Sequence, residues 1–381
     1  MKPVRPPRIA LVAGEDSGDV LGADLIAGLR RLQPACDIHA VAGPKMRAQG
    51  VGLIHPAEDF AVMGFGEVIR HLPRLLALKR KILRRLLELQ PDVVVGIDAP
   101  DLNLPIERQI KKQGLKVIHY VSPSVWAWRA GRAKKMAAVT DAVLTLFPFE
   151  PSWYTRHGGR ACFVGHPLAR SLPLAVDKAG EKQRLGLAAD TSLVALLPGS
   201  RWHEIRSLSH DFLQAARIMQ KRMPTIRFVT ASPGADKVQW LLHAASQAGV
   251  QLETAPTASQ ALLAADAALL ASGTVALEAM LCKTPMVVAY RVSSLTYGIV
   301  KGFHLLKQPW YSLPNVLEGD FLVPEIMQHA ITPASLSEAV LAQLDPARRE
   351  RLCNRFTHHH RRLLPPQTDA AAQAVLQVAT C

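Results

Sequence analysis

Two short loops in the second half of the chain carry the residue types that hold a nucleoside diphosphate. They are Leu197-Pro-Gly-Ser-Arg201 and Ser272-Gly-Thr274, the second followed by Glu278. Each follows an apolar, strand-like run (192–197 and 267–271) and opens a helix-like run. Small residues at such a turn let a ligand approach the backbone, and the free N–H groups and dipole of a helix start attract phosphate. Arg201 adds a fork-shaped cation suited to diphosphate oxygens. Glu278 lies one helical turn past Thr274, where a carboxylate accepts from two vicinal ribose hydroxyls. Phosphate donors and a sugar acceptor together predict a nucleotide-diphosphate site.

The first half offers a base. Asp98 closes the run Asp92-Val-Val-Val-Gly-Ile-Asp98, apolar after its first residue, so its carboxylate is partly desolvated and its pKa can rise toward that of a useful base. The same position suits a helix cap or a turn former, and Asp101 competes for either role. Gly14-Glu-Asp-Ser-Gly-Asp19 follows the first strand; its three acids argue against direct phosphate contact and favour an acceptor or structural role. His166, in Val-Gly-His-Pro at the expected domain junction, reads as a hydrogen-bonded structural residue ahead of a base. The triplet His358-His359-His360 does not place all three rings on one helix face, so it reads as a solvated basic surface rather than a metal site. No G-x-x-x-x-G-K-[ST] is present, and Gly64-Phe-Gly66 lacks a third glycine and a preceding strand. Without Asp-x-Asp, the usual metal clamp on a nucleotide sugar is missing, which assigns the leaving-group charge to helix N-termini and Arg201.

These residues need a scaffold, and the patterning supplies one. Short Val/Ile/Leu-rich runs alternate with longer amphipathic segments: 9–13, 38–42, 93–97, 117–121, 142–147 and 162–164, then 193–197, 226–230, 268–271 and 286–289. Runs this apolar suit strands buried on both faces, and the alternation suits βαβ units. The expected class is α/β, with two Rossmann-like domains facing a cleft. We expect an N-terminal domain over 1–168, a C-terminal domain over 169–345, and a basic helical ending over 346–381 that packs back on the N-terminal domain. The stretch 165–190 reads as the connection. In open α/β sheets ligands sit at the carboxyl ends of the strands. Those ends here are Gly14–Asp19, 98–101, Ser122-Pro-Ser, Gly165-His-Pro, 198–201 and 272–274, contributed by both halves, so the chemistry is expected between the domains.

The bulk properties narrow the partners. A chain of 381 residues, 49% hydrophobic and 20% charged, is globular and long enough for two domains. A net charge of +14 calls for an anionic partner: nucleic acid, anionic lipid or a phosphorylated substrate. Only 6% of residues are aromatic, too few to line a nucleic-acid groove. The five cysteines are scattered without C-x-x-C, which fits a reducing cytoplasm. The first apolar run is too short for a signal peptide, and no run reaches the length of a membrane span. The segment 62–89 is the least ordinary. Phe65, Val68, Ile69, Leu72, Leu75 and Leu76 recur at helical spacing among Arg70, Arg74, Lys79 and Arg80, with Pro73 expected to kink or split it. It reads as an ordinary amphipathic helix or as a basic apolar surface that docks on anionic membrane; leucines on more than one face favour docking.

The set of motifs resembles the lipid-A-disaccharide synthase family, glycosyltransferases of the two-Rossmann (GT-B) type. It comprises Gly14-Glu-Asp-Ser-Gly-Asp19, Ile97-Asp-Ala-Pro-Asp101, Ser122-Pro-Ser-Val-Trp-Ala-Trp-Arg129, Leu146-Phe-Pro-Phe-Glu150, Val164-Gly-His-Pro167, Leu197-Pro-Gly-Ser-Arg201, Ala271-Ser-Gly-Thr-Val-Ala-Leu-Glu278 and Leu313-Pro-Asn315, in this order nearly end to end. The resemblance implies transfer of 2,3-diacylglucosamine from UDP to 2,3-diacylglucosamine 1-phosphate (lipid X), giving the β-1,6 disaccharide 1-phosphate and UDP. It implies Asp98 as general base, with Ser200, Arg201, Ser272, Gly273 and Thr274 on the diphosphate. Glu278 would hold the ribose, and Asn315 the uridine side or the diphosphate. Gly14, Ser17, Gly18, Asp19, Ser122 and His166 would face the acceptor. It further implies no metal or other cofactor, and a peripheral enzyme on the inner face of a Gram-negative inner membrane; a homodimer is left open. Two positions depart from the family: Asp16 stands where alanine is usual, and Asp320 where a basic residue often follows Leu-Pro-Asn. A UDP-N-acetylglucosamine 2-epimerase or a MurG-like transferase would use the same second-half loops. Trp126-Ala-Trp128 and the basic apolar helix fit a lipid substrate better. A DNA-binding protein and a non-catalytic membrane scaffold are the readings from other classes.

Overall fold

The computed structural model describes residues 5–61, 68–123, 131–232, 234–291 and 310–380, with side chains at 61 and 68–72 outside that description. The chain divides into two compact units, one formed by Met1–Pro167 with Leu363–Cys381, the other by Leu168–Arg362.

The first unit holds strands β1 (Arg8–Ala13), β2 (Asp37–Ala42), β3 (Gly52–Pro56), β4 (Val93–Ile97), β5 (Lys116–Tyr120), β6 (Ala142–Thr145) and β7 (Ala161–Phe163). All pair in parallel, in the order β3-β2-β1-β4-β5-β6-β7. The central strands are apolar throughout because helices cover both faces. Ile9, Leu11 and Ala13 face one layer, with Leu25, Ile26 and Leu29 of helix Asp16–Leu32 and Val375 and Val378 of helix Ala370–Thr380. Ala10 and Val12 face the other, with Ile82 and Leu86 of helix Val68–Leu89 and Ile106 and Ile110 of helix Pro100–Lys112. Alternate residues of one strand thus serve two cores.

The second unit repeats the plan with β8 (Leu193–Leu197), β9 (Arg227–Thr230), β10 (Leu252–Thr254), β11 (Ala267–Ala271), β12 (Met286–Tyr290) and β13 (Glu325–Met327). Its order is β10-β9-β8-β11-β12-β13, again parallel. Phe212, Ala216 and Met219 of helix Trp202–Arg222 and Leu336 and Val340 of helix Pro333–Gln343 close one face. In both sheets the strand order reverses direction beside the first strand of the unit, between β1 and β4 and between β8 and β11. Those are the topological switch points, where ligands bind in open α/β sheets.

Three expectations change. The 346–381 ending does not return whole to the first unit: helix Pro346–Leu363 counts almost entirely with the second unit and helix Ala370–Thr380 with the first. The stretch 165–190 is not a plain connection, since helix Lys178–Arg184 is anchored in the second unit. The buried Lys178 ammonium donates to the carbonyls of Leu262 (2.8 Å) and Ala265 (2.7 Å) and to Thr284 Oγ1 (2.7 Å), and burial lowers its pKa to about 8. Lys182 pairs with the buried Asp266 at 2.7 Å. Third, Pro73 lies inside one helix, Val68–Leu89, so of the expected kink or split the split is excluded. No helix of the described residues is long and apolar enough to cross a membrane.

Candidate active site

In the second unit, Ser200, Arg201, Ser272, Gly273, Thr274 and Glu278 all line one pocket of about 410 Å³ at the β8/β11 switch point. The Ser272 N–H donates to Ala289 O at 2.9 Å, tying its loop to β12. Helix Thr274–Leu281 opens at Gly273 without a side-chain cap, so its first amides suit an anion. Gly273 takes φ 156°, and the space a Cβ would fill is open, so a ligand can approach its backbone closely. Glu278 is half-buried and accepts a short hydrogen bond from Ser259 Oγ, which orients its carboxylate.

The other loop is organised differently. The Glu204 carboxylate takes the N–H groups of Ser200 (3.0 Å) and Arg201 (3.2 Å), and Arg201 Nη1 approaches it at 3.4 Å. Gly199 is required here: at φ 131° its Cβ would lie 2.5 Å from that of Glu204. The helix-start amides expected to meet phosphate at this loop are therefore held by an internal carboxylate. Arg201, with 74% of its side chain exposed, is the part of the loop available to a ligand. Glu204 and Ser259 were missed in the sequence. The signal for Glu204 was half legible: a Glu three residues past Arg201 stands at the carboxylate half of a capping box, but an arginine supplies no acceptor for the other half.

In the first unit, the β1/β4 switch point joins the two other expected segments. Ser17 Oγ donates to Asp98 Oδ2 at 3.2 Å. Asp98 is half-buried at the end of β4. Its rival Asp101 is 85% exposed in its side chain and paired with Arg132 at 3.0 Å. Gly14 and Gly18 pack the first turn closely: a Cβ at 14 would meet Leu102 at 2.4 Å, and one at 18 would meet Ile97 O at 3.3 Å.

Other expected residues have structural work. Asp19 is buried, and its two oxygens accept from the N–H groups of Lys45 (2.8 Å) and Met46 (3.0 Å), capping helix Pro44–Ala48. Ser122 is buried and shares a 2.6 Å hydrogen bond with Tyr154, whose phenol burial pushes up. His166 packs on Phe147, and burial lowers its pKa to about 4, so it is neutral at pH 7. Asn315 corrects the expectation of a ligand contact. It is fully buried, its Nδ2 donates to Val323 O (2.9 Å) and Glu325 Oε1 (2.8 Å), and its Oδ1 accepts from Leu322 and Val323 (both 2.8 Å). Its hydrogen-bonding capacity is used by its own fold.

Of the histidine triplet only His358 is solvated. His359 is buried against Glu318, and His360 is buried between Lys283 and the Ala169 carbonyl. Among the described residues no group of three or more His, Cys, Asp or Glu could hold a metal ion. Of the expected membrane contacts, Phe65 and the side chains of Val68, Ile69 and Leu72 lie outside the described residues, as does 124–130 with its two tryptophans. Leu75 is half-buried and Leu76 is 45% exposed.

Comparison with known proteins shows the family and the fold. The family model of lipid-A-disaccharide synthetase matches residues 9–378. The chain belongs to the lipid-A-disaccharide synthase family. It is similar to the lipid-A-disaccharide synthase of Pseudomonas aeruginosa (strain UCBPP-PA14), 44% identical over 374 residues, 97% of this chain and 98% of the relative. To that of Xanthomonas oryzae pv. oryzae (strain MAFF 311018) it is 46% identical over 376 residues, 97% of this chain and 87% of the relative. Among solved structures, Staphylococcus aureus MnaA with UDP matches at TM-score 0.61 and 12% identity, covering 97% of this chain and 95% of that one. The calicheamicin glycosyltransferase CalG4 matches at TM-score 0.58 and 18% identity, covering 99% of each. These likenesses show the fold, two parallel-sheet α/β domains shared by GT-B glycosyltransferases and epimerases. Family membership makes this chain a glycosyltransferase of lipid A biosynthesis.

Proposed function

We propose that the chain transfers 2,3-diacylglucosamine from UDP to the 6-hydroxyl of lipid X, with inversion to the β-1,6 disaccharide 1-phosphate and release of UDP. The observation that carries the site assignment is the gathering of the expected residues at the two switch points. Ser17 and Asp98 meet at one, and the 200–201 and 272–278 residues share one pocket at the other.

The chemistry divides between the units. Asp98 takes the proton of the acceptor 6-hydroxyl as that oxygen attacks the anomeric carbon of the donor. The bond to the β-phosphate breaks in line, so one base is enough and the centre inverts. Negative charge grows on the departing diphosphate, where the uncapped start of helix Thr274–Leu281 and the exposed Arg201 guanidinium stabilise it. Glu278, held by Ser259, binds the ribose hydroxyls. Ser17 supports Asp98 through its hydrogen bond, while Gly14 and Gly18 keep the acceptor-side turn close to the backbone. Asp19, Ser122 and His166 serve the acceptor side by holding its shape.

Both substrates are acylated, so the enzyme works as a peripheral protein on the cytoplasmic face of the inner membrane. The positive excess of the chain and the exposed Arg74 and Leu76 of helix Val68–Leu89 support that placement. The epimerase-like and MurG-like alternatives share the fold, but relatives at 44% and 46% identity over nearly the whole chain are synthases. The test incubates purified protein with the UDP-diacylglucosamine donor and lipid X. One UDP should appear per disaccharide, with a β anomeric linkage by NMR. Epimerised donor, or UDP release without disaccharide, would contradict the proposal.

A further inference from the structure

The backbone at the proposed base is held in an uncommon conformation. Asp98 and Ala99 lie in the left-handed region at φ 52° and 42°, and Val121, at the end of neighbouring β5, has φ 85°. Side chains with a Cβ are disfavoured there, aspartate less than alanine or valine. Such positions persist only where the surroundings hold them, and they cluster at functional sites.

Asn103 supplies the hold. It is 1% exposed on helix Pro100–Lys112. Its Nδ2 faces three carbonyls at the switch point: Asp98 at 2.8 Å, Ile97 at 3.2 Å and Val12 at 3.3 Å. One side-chain amide thus joins the ends of β1 and β4 and grips Asp98 itself. One turn further along the same helix, the buried Glu107 meets the buried His119 Nδ1 at 2.6 Å. His119 precedes Tyr120, whose carbonyl accepts the Asp98 N–H at 2.8 Å. Gly96 makes room for this arrangement, since a Cβ there would lie 2.1 Å from Glu107 Oε1 and 3.1 Å from Asn103 Cβ.

Plain anchoring of a helix to a sheet needs only apolar contacts, which Ile106 and Ile110 already provide. The polar group is a costly addition. Asn103 Oδ1, Glu107 Oε2 and His119 Nε2 are all buried with no hydrogen-bond partner among the described residues. Polar groups kept at such a cost directly beneath a strained carboxylate point to geometry rather than stability. We infer that Asn103, backed by the Glu107–His119 pair, is a positioning residue that fixes the left-handed turn at Asp98–Ala99 and so aims the Asp98 carboxylate at the acceptor hydroxyl. This rests on the reading of Asp98 as the base.

The experiment measures kcat, acceptor KM and UDP affinity for Asn103→Ala, Asn103→Ala with Ala99→Gly, and Asp98→Asn. Displacing the base by about 1 Å should lower kcat of Asn103→Ala roughly 10- to 100-fold. Acceptor KM and UDP affinity should stay within about two-fold, because the loss is confined to the transition state. Glycine adopts the left-handed region without a Cβ penalty, so adding Ala99→Gly should recover kcat by at least about three-fold. A merely structural Asn103 gives no such rescue. A kcat within about two-fold of wild type, or a loss that Ala99→Gly leaves unchanged, overturns the inference. Should Asn103→Ala not fold, Asn103→Ser retains a donor and is judged by the same two outcomes. A near-normal rate in Asp98→Asn removes the base assignment itself, a separate result.

Discussion

At the scale of single residues, the loop at 199–204 carries a conflict that a diphosphate must resolve. Glu204 holds the amides of Ser200 and Arg201 and faces the guanidinium that the phosphates would use. A carboxylate next to a bound diphosphate is repulsive, so it weakens UDP binding while keeping the empty loop in shape. Glu204→Gln keeps an acceptor for the two amides and removes the charge. Calorimetry should show UDP binding roughly 3- to 10-fold tighter in that variant at unchanged thermal stability. Equal or weaker binding would mean that Glu204 acts only as a helix cap. Individual residues were legible to very different degrees. The strand-end placement of Ser200, Arg201, Ser272 and Thr274 was legible because strand-loop-helix patterning fixes what stands at a strand end. Asn315 was misjudged because motif membership does not say whether a side chain turns inward, and this one is enclosed by 322–325. His359, expected on a solvated surface, shares that cause. Partners distant in sequence bury it, and no local pattern reveals such partners.

At the scale of elements, helix Val68–Leu89 changes from exposed to buried along its length. Ile82 and Leu86 are fully buried under the first sheet, as in any amphipathic helix. Arg74, Leu76 and Ala77 are exposed one or two turns earlier. Leu86→Ala should therefore cost about 2–5 kcal/mol in a denaturant titration and leave vesicle binding of the folded protein intact. Leu76→Glu should shift stability by no more than about 0.5 kcal/mol yet reduce co-sedimentation with anionic vesicles. Full vesicle binding by Leu76→Glu would remove this element from the membrane contact. The sequence left ordinary helix and docking surface as rivals for the whole segment. The structure assigns its second half to the core because burial follows the sheet above it, which periodicity alone does not locate. Ten of the strands were anticipated from apolar runs, with ends shifted by a residue or two. The three that were missed, β3, β10 and β13, are short, half-exposed strands at sheet edges, where one covered face no longer demands a continuous apolar run.

At the scale of the whole molecule, the proposed function gives each unit one part of a transfer reaction at an equivalent place in its fold. Both sheets run outward from their first strand in the same sense, so each offers one crevice at the carboxyl ends of its strands. The first unit presents the Asp98 carboxylate there, and the second presents an uncapped helix start, the Arg201 guanidinium and the Glu278 carboxylate. This duplication was visible in the sequence as two sets of apolar runs. The split of the chain's ending between units was not, because neither the basic helix 346–363 nor the uncharged, Ala-rich helix 370–380 encodes which core its apolar stripe meets. The division of labour predicts that the two halves of the chemistry can be broken separately. Asp98→Asn and Arg201→Ala are compared for disaccharide synthesis and for UDP affinity, the latter measured on the full-length folded protein. We expect Asp98→Asn to lose at least about a hundred-fold in kcat with UDP affinity unchanged, and Arg201→Ala to bind UDP roughly 10- to 100-fold more weakly. A near-wild-type kcat in Asp98→Asn would contradict the account.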